Sequence, residues 1–101
     1  MPPLYRTTVQ ADEDIIAIYV EGVRQFGVKQ AESYLGSLVD CFFLLAEQPG
    51  LGRRYIGLRA SVRLHFHDRH VIAYSDATSD ILIIRVLHGR SDWERHLDPE
   101  D

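Results

Sequence analysis

The stretch Ile81-Leu-Ile-Ile-Arg-Val-Leu87 decides how this chain folds. It is apolar at every position but one, and it is bounded by the polar turn Asp76–Asp80 and by Gly89. A short run of this kind, rich in β-branched residues, reads as a central strand covered on both faces. Arg85 is the single charge in it. A charge there must reach water or a partner, because burying it unpaired is expensive. Two readings follow. Arg85 pairs with an acid of the first helix such as Asp14, or it joins Arg63 and Arg90 in a functional basic patch.

The segment just before it is also extended. Val62-Arg-Leu-His-Phe66 alternates, placing Val62, Leu64 and Phe66 on one face and Arg63, His65 and His67 on the other. Asp68-Arg69 reads as a turn and His70-Val-Ile-Ala-Tyr74 as the next strand. His65 and His67 point the same way and are spaced to chelate a metal. No cysteine and no closely spaced carboxylate except the adjacent Asp68 completes a set, so the pair reads as a polar sheet face and no metal is expected.

The first half changes period. Leu4–Thr8 reads as a short strand. Thr8 then caps a helix whose positive end faces Asp12, Glu13 and Asp14. Apolar residues recur at helical spacing at Ile15, Ile18, Tyr19, Val23 and Phe26, and Gly27 stops the helix in the left-handed position. A second stripe, Ala31, Tyr34, Leu35, Leu38, Cys41, Phe42 and Leu45, runs to Pro49-Gly50. The junction at Gly27 is too short for anything but an antiparallel helical hairpin. The first strand must pair somewhere, and the Ile81–Leu87 strand is the expected partner. Tyr19, Tyr34 and Tyr74 read as core or core-edge residues. The order β-α-α-β-β-β, with a last helical turn over Asp92–Leu97, predicts an α+β fold. The hairpin lies on one face of a mainly antiparallel sheet.

The 101 residues suit one domain, 1–101, with residues 98–101 as an acidic tail. The composition, 46% hydrophobic and 26% charged, fits a folded chain and excludes a disordered one. The longest apolar runs, Cys41–Ala46 and Ile81–Ile84, fall far short of the ~20 residues of a membrane span. The opening residues show no cationic-then-apolar pattern, so no secretion signal is expected. Cys41, the one cysteine, can form no internal disulfide and points to a reducing, cytoplasmic setting. The net charge of −4 argues against a general nucleic-acid binder, but eight arginines against five acids between Arg53 and Arg95 make the second half locally basic.

Several pieces, in this order, resemble the toxins of type II toxin–antitoxin systems, specifically the ParE branch of the ParE/RelE superfamily. They are Ala11-Asp-Glu-Asp-Ile-Ile-Ala-Ile-Tyr19, Gly27-Val-Lys-Gln-Ala-Glu-Ser-Tyr-Leu35 and Leu44-Leu-Ala-Glu-Gln-Pro-Gly-Leu-Gly-Arg53. Arg63 with His70-Val-Ile-Ala-Tyr74, and Ile84-Arg-Val-Leu-His-Gly-Arg-Ser-Asp92, complete the set. The resemblance implies the RelE/ParE-like fold and a toxin neutralised by a cognate ParD-like antitoxin. It also implies action on DNA gyrase without a catalytic residue or cofactor. RelE-like relatives share the fold and cleave messenger RNA on the ribosome.

That alternative can be weighed on chemistry. Internal attack on RNA needs a base, a cationic stabiliser and an acid. RelE-like enzymes are similar to one another in presenting lysines and arginines on central strands, then an arginine with a tyrosine six positions on. Here Lys29 is the only lysine, and six positions after Arg90 stands His96. A nuclease reading would rest on Arg63, Arg85, Arg90 and His96. The gyrase reading expects no catalytic residue. It offers Arg63, Arg85, His88, Arg90 and Trp93 as candidates for binding target or antitoxin. A third reading is an inactive interaction module of the same fold.

Overall fold

The computed structural model describes residues 4–55 and 61–97. Strand β1 (Tyr5–Thr7) leads into helix α1 (Val9–Phe26), then α2 (Val28–Glu47), a 3-10 turn at Pro49–Leu51 and a two-residue strand β2 (Arg53–Arg54). Strands β3 (Val62–His67), β4 (His70–Ser75) and β5 (Ile81–His88) follow, then a short helix α3 (Trp93–His96). The sheet order is β1-β5-β4-β3-β2. Only the β1–β5 pair is parallel, with Tyr5 opposite Ile81 and Thr7 opposite Ile83. The fold is therefore α+β, with β1 where the sequence puts it. Strand β2 is unanticipated, because two arginines beside a turn carry no periodic signal.

Thr8 starts α1 and fastens it to the sheet. Its Oγ accepts the Ala11 N–H at 2.9 Å, as an N-cap does. The same hydroxyl donates to the Ile84 carbonyl at 2.7 Å, and the Thr8 N–H donates to Ile83 O at 3.0 Å. At the other end, Gly27 is both the last cap of α1 and the first of α2. Its N–H donates to Val23 O, and its carbonyl accepts from Ala31 N–H. Gly27 sits at φ 91°, ψ 165°, so the backbone is at positive φ but outside the left-handed helical well that the sequence suggests. That region is essentially closed to residues with a Cβ.

Strand β5 carries a bulge. Tyr74 faces Ile83 and Ala73 faces Arg85, which leaves Ile84 unmatched. One extra residue inverts the in–out alternation. Ile81, Ile83 and Val86 consequently all join the core under the hairpin, with Leu38, Phe42, Leu45, Ile72 and Tyr74. Leu87 turns to the opposite face, in a second cluster with Leu64, Val71 and Ala73. The continuous apolar run of β5 thus serves two cores.

The Val62/Leu64/Phe66 alternation has a different meaning from a simple core face. Leu64 belongs to the cluster away from the hairpin, and Phe66 remains 59% exposed. The opposite face of β3, with Arg63 and His67, meets other polar groups. Trp93 and Leu97 pack against the second cluster, with the Trp93 ring edge-on to Tyr55 and Phe66.

Replacing Gly27 by Ala should cost about 1–3 kcal/mol, the usual range for a residue forced into such a region. Urea unfolding followed by circular dichroism measures it, and an unchanged midpoint would remove the constraint from the hairpin junction.

Candidate functional site

The β3–β4 connection is a tight two-residue turn. Asp68 takes φ 50°, which Asp tolerates better than most residues. The turn sets His67 opposite His70, and the β4–β5 register sets His70 opposite His88. Three imidazoles therefore lie side by side across three strands at one end of the sheet. Helix α2 covers His67 and His70. Tyr34 brings its hydroxyl to 2.6 Å from His70 Nδ1, and Ser37 Oγ lies 3.1 Å from His67 Nε2. The Arg69 guanidinium is held over two rings, 5.1 Å from the Phe26 centroid and 5.3 Å from that of Tyr34. Tyr34, Arg69, His70 and His88 line a cleft of about 600 Å³. Ile18 and Phe26 of α1 and Val86 of β5 line more of it.

The proton positions follow from burial and partners. His70 is 8% exposed. Burial, then the nearby His88 and Arg69, push its pKa down to about 4, against a weaker upward pull from Asp68. Burial, with Asp68 behind it, pushes the Tyr34 phenol up. The phenol therefore keeps its proton, with His70 Nδ1 at 2.6 Å and the His67 carbonyl at 3.5 Å as its neighbours. Ser37 donates its own proton to the Tyr34 carbonyl at 2.7 Å. In the Ser37–His67 contact the imidazole is then the donor. The pair lacks the arrangement of a serine activated by a histidine base.

The family model described as the ParE toxin of type II toxin–antitoxin systems, parDE, matches residues 5–93. The chain belongs to the ParE toxin family. It is 33% identical over 93 residues to the toxin ParE1 of Caulobacter vibrioides, covering 92% of this chain and 96% of that one. A solved structure of the chromosomal ParDE toxin–antitoxin system from P. aeruginosa shares the fold. Its TM-score is 0.73 at 19% identity, with 86% of this chain and 96% of that chain covered.

Within this ParE-type toxin the sequence-selected arginines have different fates. Arg85 makes two hydrogen bonds to Asp14, at 2.8 and 3.0 Å, and the hydrogen bond with Asp14 is what chiefly raises its pKa. Arg63 donates from Nε to Asp76 and from a terminal nitrogen to the Gly52 carbonyl, both at 2.8 Å. Gly52 in turn donates its N–H to the Tyr74 hydroxyl, and a Cβ there would lie 2.5 Å from that oxygen. Arg63 thus ties the 3-10 turn to the sheet. A shared free basic patch of Arg63, Arg85 and Arg90 does not form, because two of the three have carboxylate partners. Arg90 and His96 are exposed. His88 is exposed at the strand end, where its Nδ1 accepts the Arg90 N–H at 3.1 Å. Trp93 anchors α3 and contributes to an aromatic surface with Tyr55 and Phe66.

Sequence reading missed Tyr34, Ser37, Arg69 and His70 as a group. The available signal was His67 and His70 flanking the Asp68-Arg69 turn, since a two-residue turn puts its flanking residues opposite one another. Tyr34 could not be found that way, because its approach depends on how α2 crosses the sheet.

His70 also links stability to pH. Its pKa is lower in the folded chain than the ordinary 6.5, so between those values the unfolded chain binds more protons. The stabilisation is complete above pH 6.5 and is lost as pH falls through that value toward about 4. The loss should reach no more than about 3 kcal/mol. Denaturant melts between pH 7.5 and 4.5 should show this slope, and a His70→Asn variant should show a flatter one.

Asp14 is the second stability test. It is 15% exposed and its loss strands Arg85. Asp14→Ala should cost about 3 kcal/mol. A change below about 0.5 kcal/mol, the usual scale of surface substitutions, would mean that water replaces the carboxylate freely.

Proposed function

We propose that this ParE-type toxin harms cells in the cytoplasm by gripping DNA gyrase and that it cuts no RNA itself. The observation that carries the proposal is the engagement of Arg63 with Asp76 and of Arg85 with Asp14. Strand arginines locked to carboxylates have little charge left for a developing phosphorane. The absence of the Arg–Tyr spacing and of strand lysines points the same way.

The neutralising partner is a ParD-like antitoxin. The cleft between the helical hairpin and the sheet offers an apolar wall for part of it. The outer face of α1 leaves Ile16 63% and Val20 57% exposed one turn apart, which suits an amphipathic helix. The aromatic surface of Trp93, Tyr55 and Phe66, flanked in sequence by Arg53, Arg54, Arg90 and Arg95, remains for the target. The solved ParDE system with the same fold supports such an assembly.

The test pairs two assays on the purified chain. Gyrase-driven supercoiling should stall, and the product of the adjacent antitoxin gene should restore it. Translation reactions with mRNA cleavage mapping should show no new cuts. Ribosome-dependent cuts with untouched supercoiling would overturn the proposal in favour of a RelE-like nuclease using Arg90 and His96.

A further inference from the structure

We infer that the cleft anchors a carboxylate of the antitoxin, an Asp or Glu side chain, on Arg69 and on the Nε2–H groups of His70 and His88. The inference rests on the antitoxin reading above and names the chemistry of its contact.

Arg69 provides the charge. Stacking on Phe26 and Tyr34 holds its guanidinium in place. Among the described residues it takes part in none of the ion pairs. A cation that is oriented by rings and left without an acid is prepared for an anionic partner. The two imidazoles provide direction. A backbone N–H can only donate, so the Arg90 N–H makes His88 Nδ1 an acceptor and leaves the His88 proton on Nε2. The Tyr34 hydroxyl, 2.6 Å from His70 Nδ1, can donate or accept; the anchor requires it to donate, which leaves the His70 proton on Nε2. The two rings are neighbours, with centroids 5.4 Å apart, and both line the cleft. His67 is not part of the set, because it donates to Ser37.

The acids nearby decide the sign. Asp14 is engaged by Arg85 and the Val86 N–H, and Glu21 by Arg24 and Gln25. Asp68 lines the cleft without an ion-pair partner among the described residues, and it opposes a second carboxylate. The site is therefore donor-rich but deliberately tempered, and removing Asp68 must strengthen it.

Calorimetry with the adjacent gene's antitoxin tests this. Arg69→Ala should weaken binding by at least about tenfold and flatten its dependence on salt, while Arg69→Lys recovers part of the affinity. Asp68→Asn should tighten binding, and Asn accepts the positive φ of that turn. Nitrogen-15 NMR should find His70 and His88 protonated on Nε2 in the free toxin. Tyr34→Phe should mix the His70 tautomers, leave His88 unchanged and weaken binding.

Arg69→Ala binding as tightly as the native chain, or Asp68→Asn weakening the complex, overturns the anchor. Arg69-dependent binding of a short single-stranded RNA, with antitoxin affinity unmoved, overturns it in favour of phosphate. Failure of the native toxin to bind the antitoxin at all overturns the antitoxin reading itself.

Discussion

The Asp14 carboxylate holds the architecture together. It accepts two hydrogen bonds from Arg85 and a third, at 3.0 Å, from the Val86 backbone N–H. These bonds join α1 to the central strand immediately after the bulge at Ile84. An arginine in the middle of an apolar strand would otherwise sit half-buried without a counter-charge. A bulge would otherwise leave ladder groups without partners. One side chain answers both needs. Thr8 completes the junction by bonding Ile83 and Ile84 from the start of the same helix.

Fixing α1 in this way determines where the cleft lies. The rigid junction at Gly27 returns α2 antiparallel, and α2 then brings Tyr34 and Ser37 over the ends of β3 and β4. The polar residues beneath the hairpin are arranged so that burial does not leave them orphaned. Among the described residues, no buried side-chain nitrogen or oxygen lacks a partner. The low pKa of His70 follows from the same enclosure, and Tyr34 gives its neutral form a hydrogen-bond partner.

The two faces of the sheet divide the labour. The hairpin face carries the larger core and the cleft. The opposite face carries a smaller cluster that depends on Trp93 and Leu97 for cover and leaves Phe66 exposed. Arg63, Asp76, Gly52 and Tyr74 tie the 3-10 turn to the sheet, and Tyr74 is fully buried while its hydroxyl donates to Pro49 O.

Local chemistry written along the chain was enough for the elements and for the family. Period 3.6 in residues 9–47, a glycine at 27 and an unbroken apolar run at 81–87 specify helices, hairpin and central strand because each depends only on neighbours in sequence. Arg85 announced that it needed a partner, and Asp14 was among the acids able to supply it. Tertiary structure decided the rest. Which face of β3 turns inward depends on its register against β4, and no periodicity within Val62–His67 reports that. The union of Tyr34, Arg69, His70 and His88 depends on a helix crossing angle and two strand registers. Those are set by packing between segments far apart in the chain, where no local pattern reaches.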